Sequence, residues 1–90
     1  MKAIVSVIGQ DKVGICAAVC TKMAEYRINI LDISQTIVSG YFNMMMIVDV
    51  TQLEKPFGDM AEELAEVGRE QIGVQIKCQK EEIFDLMHRI

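Results

Sequence analysis

Residues 30–50, ILDISQTIVSGYFNMMMIVDV, decide the fold. Across 30–38, Leu31, Ile33 and Ile37 fall on one face, opposite Asp32, Ser34 and Thr36. A period of two is that of an extended strand. Ser39-Gly40 then reads as a two-residue hairpin turn, with the glycine able to take the positive φ such turns need. The second half alternates as strongly. Phe42, Met44, Met46, Val48 and Val50 share one face, opposite Tyr41, Asn43, Met45, Ile47 and Asp49. The stretch predicts an antiparallel hairpin, 30–38 against 41–50.

Working outward toward the N-terminus, AIVSVI at 3–8 is β-branched and almost wholly apolar. It predicts a strand buried on both faces or at the centre of a sheet. GQDKVG at 9–14 reads as a glycine-containing turn. Ile15, Ala18, Val19, Lys22, Met23 and Tyr26 follow at helical period, so one stripe of this helix faces the core. The helix should stop near Arg27, because Asn29 opens the next β-like run.

Toward the C-terminus, Phe57, Met60, Ala61, Leu64 and Val67 mark a second helix over 57–71, with Pro56 in its first turn. Gly73 ends it. Val74, Ile76 and Cys78 alternate with Gln75, Lys77 and Gln79 as a strand buried on one side. Ile83, Leu86, Met87 and Ile90 predict a short amphipathic helix, with Glu81 and Glu82 favoured in its first turn. The order is βαββαβ plus a final helix. That is an α+β, ferredoxin-like sandwich, with a four-stranded antiparallel sheet and both helices on one face. The expected division is a domain at 1–79 and an amphipathic helix at 80–90 that packs on the domain or a dimer. Met45 and Ile47 fall on the open sheet face, which suggests a contact between copies.

Composition limits what such a domain can do. Ninety residues make one domain, too small to enclose a deep active-site cleft, so an enzyme is not expected. At 51% hydrophobic and 24% charged, with one proline, the chain is globular and neither disordered nor collagen-like. A net charge of −4, with scattered basic residues, leaves no footprint for nucleic acid. No apolar run approaches the ~18–20 residues of a membrane span. The opening apolar segment is too short for a signal peptide. Cys16, Cys20 and Cys78 show no disulfide spacing, so reduced thiols and a cytoplasmic location are expected.

Few residues carry chemistry. Gly9 and Gly14 have Walker A spacing, but Ile15 and Cys16 stand where Lys and Ser/Thr would meet phosphate and Mg²⁺. The loop is then either a structural turn or a backbone site for a carboxylate at a helix N-terminus, with Asp11 taking an amino group. Cys16 and Cys20 are spaced i, i+4, but no third and fourth ligand lies near in sequence, and no metal site is expected. His88, the sole histidine, is too remote to serve as a base for a thiol. Alternation sends Met44 and Met46 one way and Met45 the other, so they read as core and interface filling. Glu62, Glu63, Glu66 and Glu70 read as the solvated side of the second helix.

VIGQDKVGI at 7–15 and INILDISQT at 28–36, on a βαββαβ order, resemble the ACT domain, a small regulatory module of amino-acid metabolism. The likeness spans the chain. It is nearest to short stand-alone ACT proteins of an uncharacterised bacterial and archaeal family. The resemblance implies a non-catalytic, ligand-sensing homodimer without cofactor, which binds an amino acid or similar zwitterion between subunits. On the loop, the matching positions are Gly9, Gln10, Asp11, Val13, Gly14 and Ile15. From the neighbouring chain, they are Asn29, Ile30 and Leu31. Two positions depart from the pattern. Serine-binding relatives carry an imidazole where this chain has Gly9, and Arg27 stands where a glycine usually ends the first helix. The alternative is an adaptor for a separate client enzyme or regulator, bound without a ligand through the sheet face or the 81–90 helix.

Overall fold

The computed structural model of the chain describes residues 1–80, and the predicted helix at 81–90 and His88 lie outside them. The elements are β1 (Lys2–Gln10), α1 (Ile15–Glu25), β2 (Asn29–Val38), β3 (Tyr41–Asp49), α2 (Phe57–Val67) and β4 (Val74–Lys80). The sheet order is β2-β3-β1-β4, and every neighbouring pair is antiparallel. This is the predicted ferredoxin-like sandwich. The hairpin that decided it is present, with Val38 opposite Tyr41. Ser39 and Gly40 both have positive φ, 51° and 80°. That pair of left-handed residues matches the twist of the two strands it joins.

The core lies between the sheet and the helices. Ala3, Val5 and Val7 of β1 meet Phe42, Met44, Met46 and Val48 of β3 and Val74 and Ile76 of β4. Ile15, Val19 and Met23 of α1 and Met60 and Leu64 of α2 close it from the helix side. Aliphatic and thioether groups fill this layer, where methionine adapts to the gaps left by scarce aromatics. Of the two alternatives its composition predicted, β1 takes the second, a place at the centre of the sheet, and it is fully buried on one face only. Ile4 and Ser6 are half-buried and Ile8 is 46% exposed, because among the described residues no helix covers that side of the sheet.

The helix ends follow from local chemistry. Tyr26 closes α1, and Arg27 takes the left-handed conformation at φ 61°. The Arg27 N–H donates to the Ala24 carbonyl and the Ile28 N–H to that of Met23, both at 3.0 Å. Those two bonds are a Schellman closure, and the buried pair Met23 and Ile28 supplies the apolar contact that accompanies it. α2 ends at Val67, and the predicted stretch to 71 becomes a π-helical turn, Gly68–Ile72. A Cβ on Gly68 would lie 2.8 Å from Ile76 Cγ1, so only glycine lets this turn press against β4. Pro56 caps α2 from just outside, rather than sitting in its first turn.

β2 is an edge strand, and all its residues but Ile30 are exposed. Ile33 and Ile37 stand opposite Met46 and Phe42, on the helix side of the sheet. They nevertheless remain 40% and 61% exposed, because the described helices pack against β2 only near its Ile30 end. The register slips between Ile30 and Asp32, leaving Leu31 as a bulge that is 47% exposed.

Candidate functional site

The structure distributes the nine sequence-predicted residues over two ends of the sheet. Gly9 and Gln10 are not turn residues as predicted, but the last two residues of β1. Gly9 pairs with both Phe42 and Val74, and a Cβ there would fall 2.7 Å from Val74 Cγ1. Its glycine serves the packing of β1 against β4. Asp11, Val13 and Gly14 form the loop proper, all exposed. The Asp11 N–H donates to the Gly40 carbonyl at 2.8 Å, so that donor is already engaged.

Gly14 precedes α1 with φ 89°, a left-handed value, and it has open space where a side chain would be. Conformation, not room, demands glycine there. The first turn of α1 has neither a side-chain cap nor an acidic residue. Among the described residues, its first N–H groups and the positive end of the helix dipole therefore have no side-chain partner. Ile15 is buried, so only its backbone can serve a ligand.

A cleft of about 300 Å³ lies along this loop, lined by Lys12, Val13, Gly14, Ile15, Ala18, Gln71 and Ile72. Of these, Lys12, Ala18, Gln71 and Ile72 were not among the predicted site residues. Lys12 reaches across to the end of the π-helical turn, where a Cβ on Gly73 would lie 2.7 Å from its Nζ. Nothing local in the sequence signals this. The contact joins segments sixty residues apart, and only the packing of α2 against β4 creates it. The cleft thus pairs an ammonium with a helix N-terminus, which suits a carboxylate.

Asn29 lies at the other end of the sheet. It pairs with Asp49, which pairs with Lys2 at the start of β1. Within one chain, the length of β1 separates it from the loop, roughly 25 Å at the rise of a strand. Asn29 lines a second, open cleft of about 530 Å³ with Arg27, Ile28, Asp49, Thr51 and Gln52. Asp49 is held there by the Thr51 side chain, by the Thr51 N–H at 2.9 Å and by the Met1 ammonium at 3.5 Å. The Thr51 bonds above all keep its carboxyl below the ordinary range. Ile30 is half-buried against the core, and Leu31 is the exposed bulge residue.

Glu63 departs from the solvated reading. Lys55 Nζ donates to its two carboxylate oxygens at 2.9 and 2.8 Å, and the Tyr26 hydroxyl donates at 3.1 Å. The Lys55 hydrogen bond lowers the Glu63 carboxyl and raises the Lys55 ammonium. Burial, then the Glu63 contact, raises the Tyr26 hydroxyl. This clamp ties the end of α1 to α2. Cys78 is buried enough for its thiol to be pushed up to about 12, which removes it from nucleophilic chemistry at neutral pH. Among the described residues, no three His, Cys, Asp or Glu side chains gather closely enough to hold a metal.

Comparison with known proteins agrees with this architecture. A family model described as ACT domain matches residues 2–79. A UPF0237 protein of Bifidobacterium longum is 58% identical over 89 residues, covering 99% of this chain and 98% of that protein. A UPF0237 protein of the archaeon Methanocaldococcus jannaschii is 47% identical, over the same shares of each chain. Among solved structures, an ACT domain protein from Streptococcus pneumoniae superposes with a TM-score of 0.84 at 41% identity, over 94% of each chain. A formyltetrahydrofolate deformylase from Pseudomonas putida shares the fold alone, at TM-score 0.75 and 14% identity, over 88% of this chain and 28% of that enzyme. With a matching family model across nearly its whole length, UPF0237 relatives end to end and the βαββαβ sheet in place, the chain belongs to the ACT domain family.

Proposed function

We propose that the chain is a non-catalytic sensor that binds an amino acid or similar small zwitterion between two copies of itself. The loop residues Gly9, Gln10, Asp11, Val13, Gly14 and Ile15 form one wall. Asn29, Ile30 and Leu31 of the partner subunit form the other. One geometric observation carries this reading. Among the described residues β2 is a long edge strand paired only with β3, with an exposed apolar side, and such an edge invites pairing. Two β2 edges mated antiparallel bring the partner's Asn29 beside the Val38 end of this copy. That is the end at which Asp11 is fastened to Gly40. Two half-sites that are far apart in one chain thus meet between two.

The chemistry is complementary to a zwitterion. The α1 N-terminus and Lys12 suit the carboxylate, and the Asp11 carboxylate with the Asn29 amide suits the ammonium or a polar side chain. Calorimetry against the twenty amino acids tests the reading, and at least one should bind. Absence of heat for all of them at millimolar concentration would overturn it. Sedimentation is the independent check, because a 10.1 kDa species alone at micromolar concentration removes the shared site.

A second reading has its own support. Ile8, Met45 and Ile47 stand 46%, 47% and 36% exposed on the sheet face that no described helix covers. A protein partner seated there would make the chain an adaptor whose loop binds nothing. Met45→Glu separates the two, since it should abolish an adaptor's complex while leaving amino-acid binding intact.

A further inference from the structure

Cys16 and Cys20 stand one turn apart on α1, with their Sγ atoms 4.0 Å from each other. Both are free thiols and both are half-buried, so solvent reaches them. The separation decides what they can do together. A disulfide needs sulfurs about 2.05 Å apart and Cβ atoms within about 4.5 Å. Cβ atoms at i and i+4 on a helix are held about 5–6 Å apart. Oxidation to a disulfide therefore requires α1 to distort. A shared metal ion does not. With a metal–sulfur bond of about 2.3 Å, two sulfurs on one ion lie ~3.8 Å apart at a tetrahedral angle and ~4.6 Å apart when opposed. The observed 4.0 Å falls inside that span with the helix as it is.

We infer that Cys16 and Cys20 form a two-thiolate site for a soft monovalent cation of the Cu(I) class. The donor set selects the ion. Zinc in a structural site takes four protein ligands, and among the described residues no third His, Cys, Asp or Glu joins these two. Thiolate sulfur favours Cu(I) over harder cations. Binding involves no electron transfer. Two S–H protons go to solvent, two metal–sulfur bonds form, and the site carries one net negative charge. Burial and the neighbouring Cys16 raise the Cys20 thiol, so its proton leaves only as the metal–sulfur bond forms. The start of α1, where Cys16 stands in a first turn without an acidic residue, offsets part of the charge.

The test uses the full, reduced chain under anaerobic conditions, with Cu(I) supplied as its bicinchoninate complex. The wild-type chain and Cys78→Ser should each withdraw one equivalent of Cu(I) and bleach the chromophore accordingly. Cys16→Ser and Cys20→Ser should withdraw none. X-ray absorption at the copper edge of the wild-type protein needs no variant and should find two sulfur neighbours. Failure of the wild type to withdraw copper overturns the site. So does an undiminished equivalent in either serine variant, or a copper shell of nitrogen and oxygen only. None of these readouts depends on whether the loop binds an amino acid.

Discussion

The backbone N–H of Asp11 donates to the carbonyl oxygen of Gly40 at 2.8 Å. This one bond fastens the loop after β1 to the hairpin turn, and so to the end of the β2 edge. It also divides Asp11 into two functions. The backbone holds the loop in place, while the side chain is exposed and, among the described residues, has no partner. Asp11→Ala keeps the first and deletes the second. We expect the affinity for a bound amino acid to fall about tenfold or more, the loss of one charge-assisted hydrogen bond. The melting temperature should move by no more than about 2 °C. Calorimetry and a thermal scan on the same sample check both halves.

Gly9 is demanded by packing rather than by a ligand. In Gly9→Ala the new methyl would lie 2.7 Å from Val74 Cγ1, and Val74 is buried. Overpacking of this kind costs about 1–3 kcal/mol. Adding Val74→Ala should recover part of that loss, because it removes the atom in the way. Gly58→Ala is the contrasting control in α2, with nothing within 4 Å of the new methyl. Denaturant midpoints should fall for the first variant and hold or rise for the control.

Arg27 carries local strain. At φ 61° an L side chain crowds its own carbonyl, which costs roughly 1 kcal/mol. Its ion pair with Glu54 is 3.5 Å long and largely exposed, so it offsets little. Arg27→Gly should therefore raise stability by about 0.5–1 kcal/mol, seen as a melting point a few degrees higher. An unchanged or lower melting point would sink this account of the helix end.

The Glu63 clamp sets a pH dependence. The folded Glu63 carboxyl lies below its ordinary value. Its contribution to stability is therefore full above the unfolded value of about 4.3 and is lost as pH falls through the folded one. Lys55 is raised, so its contribution is full below its unfolded value of about 10.4 and is lost as pH climbs through the folded one. Glu63→Gln should make stability less dependent on pH in the acid range. Asp49, also lowered, keeps its own share of the slope. Unfolding midpoints of the two proteins, followed from neutral to acid pH, should converge.

Much of the fold was legible because its signals are local. The alternation of Phe42 to Val50 survives as the buried face of β3, and the helical stripe Ile15, Val19 and Met23 survives as the buried face of α1. Where reading failed, a distant neighbour had decided the outcome. Gly9 looked like part of a turn, but pairing with Phe42 and Val74 draws it into β1. Glu63 looked solvated, but Tyr26 and Lys55 arrive from other segments to hold it. The extension of α2 to residue 71 gave way to a π-helical turn, because Gly68 is pressed against Ile76.

The sequence by itself determined the order of the six elements in the described residues, the hairpin at Ser39-Gly40 and which side of β3, β4 and the two helices faces the core. Those follow from periodicity and turn chemistry, which act over a few residues. Tertiary structure alone decided that Asn29 and the Asp11 loop lie at opposite ends of one sheet. It alone brought Lys12 to the end of the π-helical turn, and it set the Cys16 and Cys20 sulfurs 4.0 Å apart. Such relationships depend on strand order, register and rotamer, and these are set by the closing of the whole core rather than by any single stretch of chain.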